Sequence, residues 1–111
     1  MPVIVTVGFH GIAHSEALVQ HCEAKANKLA EHHPDLIACR VVIEEPHRHH
    51  HKGNPFHVRI DLSVPGAELV ASRDPATDGR HLDAYTAVND AFDVAQRLLR
   101  DRNERLRPAH P

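Results

Sequence analysis

Between Phe56 and Val64 the chain alternates strictly. Phe56, Val58, Ile60, Leu62 and Val64 fall on one parity, and His57, Arg59, Asp61 and Ser63 on the other. Successive side chains of a strand point to opposite faces, so this pattern predicts a strand with one buried and one wet face. Pro65-Gly66 marks a tight turn, and Glu68 to Arg73 beyond it reads as the second arm of a hairpin. Leu36 to Glu45 also alternates, with Ile37, Cys39, Val41 and Ile43 on one face and Ala38, Arg40, Val42 and Glu44 on the other. The β-branched run Pro2 to Val7 predicts a further strand, closed by a turn over Gly8, Phe9, His10 and Gly11.

Two segments carry a helical period instead. Ser15 is an N-cap residue type, Glu16 places a carboxylate in the first turn, and Leu18, Cys22, Ala26 and Leu29 recur at steps of three and four. This helix is expected to end at His32-His33, ahead of Pro34. In the second, Tyr85, Val88, Phe92, Ala95, Leu99, Arg102 and Leu106 form a stripe widened by Ala84, Ala91 and Leu98, with Asp83 as cap and Pro108 as stop. The order β-α-β-β-β-α predicts an α+β fold, a four-stranded sheet with both helices packed side by side on its one apolar face. Residues 1–107 make a single domain and 108–111 a C-terminal tail.

Composition supports one folded domain and narrows its function. The 111 residues are 41% hydrophobic and 25% charged, the balance of a chain that buries a core. No apolar run is long enough to span a membrane, and the N-terminus lacks the basic region of a signal peptide. Cys22 and Cys39 are too far apart for a Cys-x-x-Cys site and read as reduced core residues of a cytoplasmic protein. Ser15, Ser63 and Ser72 sit in no nucleophile motif, and Gly8-x-x-Gly11 is too slight for a phosphate loop, so no catalytic residues are assigned.

The net charge of −2 hides an asymmetry. Residues 60–96 sum to −5, whereas Arg97, Arg100, Arg102, Arg105 and Arg107 outweigh Asp101 and Glu104 to give +3 over residues 97–107. Such an end suits phosphate, which arginine grips as a fork; taken alone, it reads first as a solvated helix terminus with Arg paired to Asp101 and Glu104. With Lys25 and Lys28 of the first helix, these cations would line one basic ridge, to which the wet sheet face adds Arg40, His57 and Arg59.

The twelve histidines would carry the net charge to +10 if all were protonated. Four of them, His47, His49, His50 and His51, crowd a loop with Arg48 and Lys52. That loop reads as a solvated connection, as a pH-tunable basic arm, or as a site for Zn or Ni through neutral imidazole. The neighbouring cations count against the last. No cofactor is required.

Several runs are familiar. Val64-Pro65-Gly66-Ala67-Glu68-Leu69, Asp83-Ala84-Tyr85-Thr86-Ala87-Val88-Asn89-Asp90-Ala91-Phe92-Asp93, Glu16-Ala17-Leu18 with Ala24-Lys25 and Lys28-Leu29, and Arg97-x-Leu99 occur in order and at compatible spacing. Together they resemble the ribosome hibernation-promoting factor and ribosome-associated inhibitor A family, also called the sigma-factor modulation family, in its short form. The resemblance implies a bacterial stress or stationary-phase protein that docks on the small ribosomal subunit and blocks the mRNA–tRNA channel without chemistry. Lys25, Lys28, Arg97, Arg105 and Arg107, with Arg100 and Arg102, would then face 16S rRNA and neighbouring proteins, with no role for DNA or membrane. This reverses the preference for a merely solvated Arg end. The chain departs from the family pattern in its neutral Val19 and Gln20, its His loop and its long Asp74 to His81 connection. The alternative is a metal-binding or metal-responsive module built on the His loop.

Overall fold

Ser15 starts the first helix by the expected means: its Oγ accepts from the Leu18 amide at 3.2 Å. Asp83 does the same for the second, its carboxylate accepting from the Tyr85 amide at 3.0 Å and the Thr86 hydroxyl at 3.1 Å. The computed structural model describes residues 2–45, 56–72 and 83–106. Its elements are β1 (Ile4–His10), α1 (Glu16–His32), β2 (Ala38–Glu44), β3 (His57–Val64), β4 (Ala67–Ser72) and α2 (Ala84–Leu106), the predicted order.

The strands form one sheet in the order β1-β2-β3-β4. β1 pairs parallel to β2, which the α1 crossover makes possible; β2–β3 and β3–β4 are antiparallel. Pro65 and Gly66 close the last hairpin, with Gly66 at a φ of 77° where a side chain would be strained. Val41, Ile43, Ile60, Leu62 and Ala71 on the inner face meet Leu18, Cys22 and Leu29 of α1 and Val88, Phe92, Ala95 and Leu99 of α2 in a single core. Both helices lie on this face, α1 over β1 and α2 over β3 and β4.

Cys22 and Cys39 are fully buried free thiols in that core. Burial, with a smaller push from Glu23, raises the Cys22 thiol from its usual 9.0 to about 11. Burial, with a smaller push from Cys22, raises Cys39 to about 12. Both are therefore protonated and unreactive at neutral pH.

Four expectations change. β1 does not turn at Gly8: the ladder with β2 continues through Gly8↔Val42 to His10↔Glu44, and Phe9 packs against the core. Ile37 is 48% exposed, because regular alternation begins only at Ala38 and Leu36 takes the inward place. Tyr85 lies edge-on to His21 instead of in the core, and Leu106 projects past the end of the packed stripe. Among the described residues no helix is long and apolar enough to cross a membrane. The Asp74 to His81 connection, the Pro108 stop and the tail lie outside the described residues.

Candidate nucleic-acid interface

The chemistry concentrates where the helices meet. α1 and α2 run in the same direction, as their contacts show: His21 Nε2 lies 2.7 Å from Asn89 Oδ1, and twelve residues later His33 bridges Gln96 and Asn103. Parallel helices bring both C-terminal halves to one end of the molecule. Those halves carry the cations.

Between them lies an open groove of about 270 Å³, lined by Lys25, Lys28, Leu29 and His32 of α1 and by Phe92, Asp93 and Gln96 of α2. Helical geometry explains the lining. Lys25, Lys28 and His32 stand at i, i+3 and i+7, one stripe of α1, while Cys22 and Leu29 turn inward. On α2, Arg97 stands four residues after Asp93 and Arg100 four after Gln96, so both continue the groove wall toward the helix end. Lys25, Lys28 and Arg97 make no ion pair with another described residue. Arg100 meets Asp101 only at 3.9 Å, with both side chains more than half exposed. Screened contacts of that kind contribute little, so these cations remain available to an external anion.

The remaining predicted residues part company with this set. Arg105 is exposed but stands nine residues beyond Gln96, about half a turn out of phase with that groove residue and about 140° round α2 from Arg100, so it turns away from the groove. Arg102 is buried. Its guanidinium donates to Asp35 at 2.7 Å, to the Pro65 carbonyl at 3.3 Å and to Asn103 Oδ1 at 3.4 Å. It therefore belongs to the interior, with its charge already paired to Asp35. Arg107 and the histidines His47, His49, His50 and His51 lie outside the described residues. Among the described residues, no three of His, Cys, Asp and Glu gather to hold a metal.

Arg40, His57 and Arg59 do not extend the ridge, because they occupy the sheet face away from the helices. There Arg59 is paired with Asp61 at 2.9 Å and His57 faces Glu44 at 3.7 Å.

His33 is the interface residue that sequence pattern did not single out. Buried at 5% exposure, its Nδ1 accepts from Asn103 Nδ2 at 2.9 Å and its Nε2 lies 3.3 Å from Gln96 Oε1. Asn103 in turn accepts from Arg102, so a continuous network fixes the register of the two basic helix ends. Position just after a helix end, before Pro34, was the one available signal, and it spoke only of capping.

Comparison with known proteins bears on this arrangement. Residues 5–107 match the family described as Sigma 54 modulation protein / S30EA ribosomal protein. No curated protein matches the sequence significantly. Among solved structures, a ribosomal subunit interface protein from Coxiella burnetii superposes with a TM-score of 0.72 at 15% identity, covering 92% of this chain and 99% of that one. The N-terminal domain of Thermus thermophilus Protein Y superposes with a TM-score of 0.66 at 18% identity, with the same coverage. At these identities the likeness is one of fold.

Proposed function

Since this chain belongs to the Sigma 54 modulation protein / S30EA ribosomal protein family, we propose that it is a ribosome-associated translation inhibitor that docks on the small ribosomal subunit. The observation that carries the reading is the groove that Lys25, Lys28 and His32 of one helix line, with Arg97 and Arg100 exposed further along the other helix at the same end of the molecule. Phosphates are recognised by cations held at fixed spacing on rigid elements, and Arg adds a bidentate fork. Two parallel helices locked by the His33–Asn103–Arg102 network supply such spacing. The net charge of −2 is compatible with this, because the charge is unevenly spread: residues 60–96 sum to −5 and residues 97–107 to +3.

Inhibition then needs no bond chemistry. A folded domain seated on 16S rRNA within the mRNA–tRNA channel excludes both ligands by occupying their volume, as a cytoplasmic stress-phase device would require. The structural neighbour named as a ribosomal subunit interface protein agrees with that partner. The test is competition: protein prebound to small subunits should lower the binding of a short mRNA and of initiator tRNA in proportion to occupancy. Undiminished binding of both at full occupancy would place the protein elsewhere on the subunit.

A further inference from the structure

One member of the groove is a histidine. His32, the last residue of α1, is exposed and lines the groove with Lys25 and Lys28. The other helix-associated histidines have partners within the chain. His14 meets Glu16 at 3.1 Å, His21 meets Asn89, and His33 is buried between Gln96 and Asn103. His32 has no hydrogen-bond or ion-pair partner among the described residues, so its ring is open to whatever enters the groove. Imidazole is the side chain whose charge ordinarily changes between pH 5 and 8.

We propose that His32 is a third, proton-dependent phosphate contact beside Lys25 and Lys28, so that mild acidification tightens the grip of this groove on ribosomal RNA. The proposal rests on the ribosome-binding reading above and names a regulation of the same site. The groups around the ring act in both directions. On α1, Lys25 and Lys28 repel a protonated imidazole, while Glu31 and the helix C-terminus attract it; His33, next in the chain, is turned into the network. From α2, Asp93 attracts it, Gln96 is neutral, and Arg97 and Arg100 further along repel it. An RNA phosphate seated among the cations changes that balance by adding a negative charge beside the ring. Binding and proton uptake then favour each other by linkage, and one more cation joins the set that displaces counterions.

The experiment compares the full chain with H32Q, measuring the Kd for purified small ribosomal subunits at pH 7.5 and 6.0 and constant ionic strength. Glutamine keeps a polar side chain at an exposed helix end without the titration. The expected result is a wild-type gain on the order of threefold to tenfold at pH 6.0, the size of one added charge-assisted phosphate contact. Between pH 7.5 and pH 6.0, H32Q should show at least about threefold less of the gain than the wild type does. A gain of equal size in H32Q would assign it to other histidines and overturn the proposal, as would a wild-type affinity that does not change. An equal loss of affinity by H32Q at both pH values, accompanied by a lower melting temperature, would make His32 a structural residue and also overturn it. No binding by the wild type at either pH would instead remove the ribosome reading itself.

Discussion

Arg102 and Asp35 form a 2.7 Å ion pair across 67 residues of sequence, with the Arg side chain only 10% exposed and the Asp 39%. The pair ties α2 to the turn that leads into β2, and the same guanidinium reaches the β3–β4 turn through the Pro65 carbonyl. An arginine satisfied on three sides in this way stabilises the fold. It does not read an external phosphate.

R102M should therefore destabilise the protein by about 2 kcal/mol, since it strands the Pro65 carbonyl and the Asn103 oxygen and leaves Asp35 without its partner. D35N should cost less, about 1 kcal/mol, because Asp35 retains access to water. Urea unfolding midpoints check both. Equal stability of R102M and wild type would mean that the network contributes nothing net.

Gly66 holds a φ of 77° in the turn beneath Arg102. A Cβ there would meet no neighbour within 4 Å, so the cost of G66A is one of backbone conformation alone. It should amount to about 1 kcal/mol, seen as a melting temperature several degrees lower.

The buried thiols set an alkaline limit. The folded pKa values of Cys22 and Cys39 lie above the usual 9.0, at about 11 and about 12. Above pH 9 the unfolded chain releases these protons first, so the folded state binds more protons and loses stability as pH rises. The slope should be roughly 1 kcal/mol per pH unit for each thiol, beginning near pH 9 and ending as each folded pKa is passed. Denaturant titrations of wild type and the C22A/C39A variant check this, the variant showing the shallower alkaline fall. At neutral pH, native protein should resist iodoacetamide while unfolded protein reacts.

The groove cations divide by position. Reversal of Lys25, Lys28, Arg97 and Arg100 to Glu should weaken small-subunit binding strongly and reduce the slope of log K against log salt by roughly 0.7 to 0.9 for each phosphate no longer neutralised. R105E, at a position turned away from the groove residue Gln96, should change the slope by less than the equivalent of one phosphate. Equal effects of R105E and R100E would mean that the whole helix end, and not the groove, faces the RNA.

Much of this architecture can be read from local pattern. The β3 alternation, the Ser15 and Asp83 caps and the Val88–Phe92–Ala95–Leu99 stripe are decided by neighbours a few residues away, and the structure reproduces them. The departures depend on distant partners. Gly8 resembled a turn residue until the parallel ladder with Val42 held it in a strand. Arg102 satisfied two patterns at once, the apolar stripe and the basic end, and only Asp35 and Pro65 decide between them. For the site, the residue types were legible and their placement was not: Lys25 and Lys28 come to the same end of the molecule as Arg97 and Arg100 because the two helices are parallel, a relationship set by sheet topology.

Co-sedimentation with purified small ribosomal subunits at low and moderate salt, for wild type and for K25E/K28E/R97E/R100E, tests the central claim most directly. Wild-type protein should pellet with the subunits and do so less as salt rises, while the folded variant stays in the supernatant at both salts. A folded wild type that never pellets, or a variant that pellets as well as the wild type, would contradict the assignment of this groove to ribosomal RNA.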